Sequence, residues 1–208
     1  MLATFATDWG LRCRPQRAMS QACAQYKLLA SRGIRLNRLS VNVSARQFRQ
    51  SDFVDFVAST VAKHAVLPLC VELEITESLL MSANDVVDRA LRALKDLGIR
   101  LAIDDFGTGY SSLAYLKQFS FDIVKIDKSF VRDLEGNAES RAITSAIVAM
   151  AHALRKEVVA EGVETEGQLA ILRSLGCDQI QGYFFSQTLA PREFMEFAAA
   201  RIEAPTLL

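Results

Sequence analysis

The chain has 208 residues, half of them hydrophobic and 23% charged, enough to build one soluble domain around a sizeable core. Its 24 Lys and Arg balance its 24 Asp and Glu, which argues against a general affinity for nucleic acid polymers or anionic membrane, so a nucleotide-type ligand has to be held by a local site. No apolar run approaches the roughly 18 residues of a membrane span, and residues 1–17, with Asp8 and several arginines, have no compact apolar stretch of a signal peptide.

In chain order, a helix is expected near residues 19–30, followed by a Val- and Leu-rich strand over 39–44. A second helix covers 52–64, and a second strand covers 71–76. Val86, Val87, Ala90, Leu91, Leu94 and Leu97 form one apolar stripe at helical spacing, with Gly98 placed as its C-cap. Strands follow at 99–104 and 122–127. Ile143, Ala146, Ile147, Met150 and Leu154 make another stripe, and strands are expected at 158–161 and 179–185, with Gly176 as a second C-cap. This alternation argues for parallel strands joined by right-handed crossovers, either an open doubly wound sheet or a β/α barrel.

The cysteines Cys13, Cys23, Cys70 and Cys177 form no C-x-x-C pair and read as reduced, mostly buried thiols of a cytoplasmic protein. His64 and His152 lie far apart in helical patterns and read as ordinary helix residues rather than a metal pair.

The strand ends favour the barrel. Asn42, Glu74, Asp104, Asp105, Lys125, Glu161 and Gln181 each stand at or near the C-terminal half of a strand candidate, beside aliphatic neighbours. Strand side chains alternate between faces, so the aliphatics can face helices while the polar groups point inward. Burying that many charges separately is very costly; gathering them at one site with cations removes the difficulty. Such a ring at the C-terminal strand ends is where β/α barrels build their sites. Oxygen donors with one lysine, and no His or Cys, suit Mg²⁺ or Mn²⁺. Several carboxylates near one point suggest two such ions, a common device for phosphodiester hydrolysis, and a lysine among them can orient a water or neutralise a phosphoryl oxygen. Singly, each residue also fits a structural role: Asn42 or Gln181 can satisfy backbone groups. The run Asp105-Phe106-Gly107-Thr108-Gly109-Tyr110-Ser111-Ser112 is long for a plain turn and reads as a loop that positions a metal or touches substrate.

Six runs, in order and spacing, resemble the EAL domain family: Asn42-Val43-Ser44-Ala45-Arg46-Gln47-Phe48, Glu72-Leu73-Glu74-Ile75-Thr76-Glu77-Ser78, Asp104-Asp105 with its following loop, Val124-Lys125-Ile126-Asp127-Lys128-Ser129-Phe130, Val159-Ala160-Glu161-Gly162-Val163-Glu164-Thr165 and Gln181-Gly182-Tyr183-Phe184-Phe185-Ser186. The resemblance implies a TIM-type β/α barrel of a bacterial second-messenger enzyme that hydrolyses cyclic di-GMP to linear pGpG with Mg²⁺ or Mn²⁺ at a two-metal site. It makes Asn42, Glu74, Asp104 and Glu161 metal ligands. It makes Asp105 the holder of the second metal and an activator of the water, and Lys125 a contact to that water. Gln181 would support the metal–water network, Glu77 would anchor the loop after Asp105, and Glu164 would steady the loop after Glu161. Lys128 would approach the substrate phosphate, or else be a solvated surface lysine.

The E-A-L tripeptide itself is absent upstream of Asn42. In the family its glutamate is a metal ligand and an arginine just after it belongs to the substrate site. The expectation is therefore an incomplete barrel with about six of eight strands, residues 1–18 unmatched and residues 19–208 a truncated EAL domain. A gene fragment, a misplaced start or a frameshift would account for this. Hydrolysis is expected to fall far below that of a complete domain, the alternative being a degenerate module that binds cyclic di-GMP or a protein partner without turnover. Sheet edges beside 39–44 and 179–185 are expected to be open and to favour self-association, with the first residues, Trp9 and Leu11 among them, as a partial cover. A homodimer, or sensory or cyclase domains in the natural protein, would be further partners.

Overall fold

The computed structural model describes residues 2–5, 15–81, 85–108, 116 and 119–203. Short, Val- and Ile-rich segments become strands β1 (Leu2–Phe5), β2 (Arg38–Val43), β3 (Val71–Thr76), β4 (Arg100–Phe106), β5 (Ile123–Ile126), β6 (Glu157–Ala160) and β7 (Gln179–Ile180). All pair in parallel, and the sheet runs in simple chain order from β1 to β7. The connecting helices are α1 (Pro15–Ser31), α2 (Ala45–Phe48), α3 (Phe53–Lys63), α4 (Glu77–Met81), α5 (Asp85–Asp96), α6 (Lys128–Arg132), α7 (Ala138–Ala153), α8 (Glu166–Ser174) and α9 (Pro191–Glu203). Consecutive parallel neighbours joined by helices are the topology of a β/α barrel wall, not of a doubly wound sheet, whose strand order reverses.

The main core lies between sheet and helices. Leu39, Val41, Leu73, Ile75, Leu101, Ile103, Val124, Ile126 and Val158 line its sheet side, all buried. The opposite side chains of the same strands enclose a separate small apolar layer of Ala102, Ile123 and Val159. The alternation expected from the sequence is thus realised on both faces of the sheet. Helix ends follow local chemistry. Gly98 and Gly176 have φ of +85° and +80° and close α5 and α8 as expected. Ser44 and Thr165 form capping boxes with Gln47 and Gln168.

Three expectations need correction. The edge beside β2 is covered: β1 pairs with it from Leu2↔Arg38 to Phe5↔Val41 and joins the six expected strands in the sheet. Trp9 and Leu11 lie outside the described residues. The last strand ends at Ile180 instead of 185, because the Phe184 N–H turns back to the Val163 carbonyl at 2.9 Å and Phe185 closes on Gly182. On α7 the buried face is Ser140, Thr144, Ile147, Val148 and Ala151, while Ile143 and Leu154 remain exposed. Small and hydroxyl side chains share this inner face with Ile147 and Val148, so the apolar stripe marks it only in part.

Candidate functional site

The C-terminal strand ends bring the charged residues together. Lys125 is the third residue of β5, and its flanking Val124 and Ile126 are fully buried toward the helices, so its side chain enters the lumen. There its Nζ lies 2.7 Å from Glu74 Oε2 on β3, 3.1 Å from Asp104 Oδ1 on β4 and 2.6 Å from Glu161 Oε1 just after β6. Lys125 and Glu74 are 3% and 1% exposed, so these are desolvated charges held by one another. Three acids from three strands surround one ammonium, an arrangement that carries surplus negative charge.

The charges answer to that surplus. Burial alone would lower the Lys125 pKa, but Glu74, Glu161 and Asp104 reverse this and push it well up, so the ammonium stays protonated. Burial raises Glu74 to about 7 against the opposing pull of Lys125. Glu161 is raised by burial first and by Asp104 and Asp105 in addition. Among the described residues, no donor reaches the buried Glu74 Oε1. An oxygen of this kind is where a cation would fit.

Asn42, on β2, is half-buried and stands in register with Glu74. Gln181 follows β7 directly, and its N–H donates to the Ala160 carbonyl at 2.8 Å. β4 carries a register irregularity between Ile103 and Phe106, and Asp105 within it has φ of +55°. Strict alternation would turn Asp105 away from Asp104; the bulge re-aims it. Burial, the charges of Asp104 and Asp127, and a hydrogen bond with Asp127 all raise Asp105. Asp127 is lowered: burial opposes this, but hydrogen bonds from Ser129, whose N–H lies 2.9 Å from Oδ1 as the α6 cap, outweigh it. The sequence reading missed Asp127. The signal was there, since Asp127 stands two residues after Lys125 and shares its face.

Of the supporting residues, Glu77 is buried at the start of α4. Glu164 is exposed, and its backbone N–H is held by Gln168 Oε1 at 2.8 Å. Lys128 is exposed at the start of α6, and its Cβ packs against Gly162, where an added methyl would come within 2.6 Å. The loop expected over 105–112 is described only to Thr108, whose N–H and hydroxyl both donate to the Asp105 carbonyl; residues 109–112 lie outside the described residues. Among the described residues, no group of three or more His, Cys, Asp or Glu stands in the geometry of a metal cage; the acids converge on Lys125 instead. Their chemistry nonetheless suits a hard divalent cation: oxygen donors from several strands, one of them buried and, among the described residues, without a donor.

His64 and His152 bond to Ser20 and Asp178, away from these acids, as ordinary helix residues would. No described helix is long and apolar enough to cross a membrane.

A parallel β/α barrel wall with a carboxylate–lysine site at its C-terminal strand ends defines the class of protein. The EAL domain model matches residues 16–188, and the chain belongs to the EAL domain family. It is 40% identical over 193 residues to the cyclic di-GMP phosphodiesterase NbdA of Pseudomonas aeruginosa, an alignment covering 93% of this chain and 24% of that protein. The solved PaMucR phosphodiesterase in complex with c-di-GMP superposes with a TM-score of 0.82 at 38% identity, over 86% of this chain and 72% of that one. A manganese and cy-diGMP complex of Klebsiella pneumoniae BlrP1 superposes with a TM-score of 0.76 at 32% identity, over 83% and 44% of the two chains. The chain spans about a quarter of the length of the curated relatives it matches.

Proposed function

We propose that this chain is a cyclic di-GMP phosphodiesterase domain whose activity is low because its ligand set lacks the E-A-L glutamate. The observation that carries the reading is the gathering of Glu74, Asp104 and Glu161 on the buried Lys125 ammonium at 2.6–3.1 Å. In this reading Asn42, Glu74, Asp104 and Glu161 would hold one Mg²⁺ or Mn²⁺, and Asp105, with Asp127 beside it, would hold the other. Bound there, the ions would supply an activated water and charge stabilisation at the phosphoryl oxygens. Lys125 keeps its proton and presents N–H donors to the water or to a non-bridging oxygen. Gln181 steadies the network, Glu77 and Glu164 steady the loops after Asp105 and Glu161, and Lys128 meets a substrate phosphate.

The purified chain, incubated with cyclic di-GMP and Mn²⁺, is expected to form pGpG slowly, and not at all in EDTA or as Lys125→Ala. Turnover equal to that of a complete family member overturns the impairment, and turnover that survives Lys125→Ala overturns the mechanism. The missing glutamate also favours a second reading, a module that binds cyclic di-GMP or a protein partner without hydrolysis. Calorimetric binding of cyclic di-GMP with no pGpG formed would select it. We also infer a cytoplasmic location from the free thiols Cys23, Cys70 and Cys177; fractionation of cells producing the protein tests this.

A further inference from the structure

The lumen has a second charged layer at the opposite, N-terminal ends of the strands. Arg38 on β2 reaches across to Glu157 on β6, Nη2 to Oε2 at 2.5 Å, and its Nη1 stands 3.5 Å from Glu72 on β3. Glu157 also accepts from Arg100 on β4 at 2.7 Å and from Gln179 on β7 at 3.0 Å, and Glu72 accepts from Ser40 on β2 at 3.1 Å. Glu157 is thus a hub for β2, β4 and β7. β2 and β6 are separated by three strands in the sheet and share no backbone pairing. A direct side-chain bond between them can form only if the sheet is curled to one particular degree.

Five of the site residues follow a floor residue at even spacing along the same strand or its immediate continuation, and so on the same face. Asn42 lies four residues beyond Arg38, Glu74 two beyond Glu72, Asp104 four beyond Arg100, Glu161 four beyond Glu157, and Gln181 two beyond Gln179. Among the described residues, the lumen between the layers is filled by Ser40 on β2 and by the dry packing of Ala102, Ile123 and Val159, each at most 1% exposed. Close-packed interiors transmit displacement instead of absorbing it. Lys125 is bonded to groups on β3, β4 and β6, so it reads any change in curvature directly.

We propose that the Arg38–Glu157 bridge, with Arg100, Glu72 and Gln179 around it, is a positioning element that sets the spacing of the acids around Lys125. The metal arm of its test rests on the phosphodiesterase reading; the spectroscopic arm does not. In metal-free protein the buried Lys125 ammonium can be followed by its ¹H–¹⁵N NMR signal, and Mn²⁺ affinity by calorimetry. Arg38→Met is expected to shift or broaden the ammonium signal and weaken Mn²⁺ binding about tenfold, the size typical of losing a group that orients ligands. Arg38→Lys, which keeps a cation at the bridge and is the milder variant should Arg38→Met not fold, is expected to move the signal less. Lys95→Met removes an ion pair of similar burial, to Asp122, on the helix side of the sheet. It should lower the melting temperature and leave the signal unchanged. The proposal is overturned if both Arg38 variants fold and keep the native ammonium signal, or if Lys95→Met moves it equally. A parent chain with the ammonium signal but no Mn²⁺ binding refutes the phosphodiesterase reading alone and leaves the ammonium comparison to decide the positioning role.

Discussion

Lys125 and Glu74 are the most deeply buried charges of the site, at 3% and 1% exposure. Removing one partner of a buried pair leaves the other without compensation, at a cost of about 3–5 kcal/mol. Lys125→Met should therefore destabilise the metal-free chain by about that much, and adding Glu74→Gln should recover most of the loss by removing the stranded charge. Urea denaturation of the parent, both single variants and the double variant in EDTA measures the coupling; additive losses would refute it. Glu157 offers a pH test with a defined sign. Burial raises its pKa, but hydrogen bonds and charges from Arg100 and Arg38 outweigh this and lower it below the usual 4.5. A depressed carboxylate stabilises the fold above its unfolded pKa and loses that contribution as pH falls through its folded pKa. The stability difference between the parent and Glu157→Gln should be constant near neutrality and shrink below pH 4.5. A difference that grows on acidification would contradict the network. The site residues could be named in advance because polar groups flanked by aliphatics on a strand have few destinations. Asp127 escaped because it follows the strand and doubles as a helix cap, a role that accounts for an Asp without invoking the site.

The elements after β6 and β7 show how loops hold the site. Val163 N–H donates to the Gln181 carbonyl at 3.1 Å, and the Val163 carbonyl accepts from Phe184 at 2.9 Å. Gly182 lies so close that an added Cβ would meet the Val163 carbonyl oxygen at 2.1 Å and its nitrogen at 2.2 Å. Neither is a flexible side-chain end, so the chain must shift. Gly182→Ala should cost about 1–3 kcal/mol, as overpacking does, and reduce any pGpG formation by displacing Gln181; a thermal melt and an activity assay check the two effects separately. A variant with native stability would show that the loops can separate freely. The strands β2 to β6 were readable within two residues at each end, since β-branched runs bounded by Gly and polar residues have one good outcome. The end of β7 was not, because Tyr183, Phe184 and Phe185 have high strand propensity while the close Gly182–Val163 contact, a tertiary fact, turns them. The inner face of α7 was misread in part, because Thr144 and Ala151 share it with Ile147 and Val148 while Ile143 is exposed.

At the scale of the molecule the wall closes further on its outside than on its inside. Ala198 of α9 packs fully buried against Leu29 of α1 and against Ile34 and Leu36 between α1 and β2, with Phe194 and Met195 beside it. The last helix therefore reaches the first. The strands do not follow: among the described residues β7 pairs only with β6, and β1 only with β2. β1 could not be foreseen, because Leu2-Ala3-Thr4-Phe5 is too short to carry a period and becomes a strand only by lying along Arg38–Val43. It moves the end of the sheet outward by one strand among the described residues. An edge strand's free backbone N–H and C=O groups are a template for pairing with another chain. β7, with two residues, is short enough to be a poor template, whereas β1, with four, is the better one. Self-association should therefore proceed chiefly through β1 and rise with concentration. Light scattering across a concentration series should show mass above that of the 23.0 kDa monomer, and hydrogen exchange at Leu2–Phe5 should slow as the mass rises. A monodisperse monomer that melts in one cooperative step at every concentration would mean that the β1 edge is already satisfied.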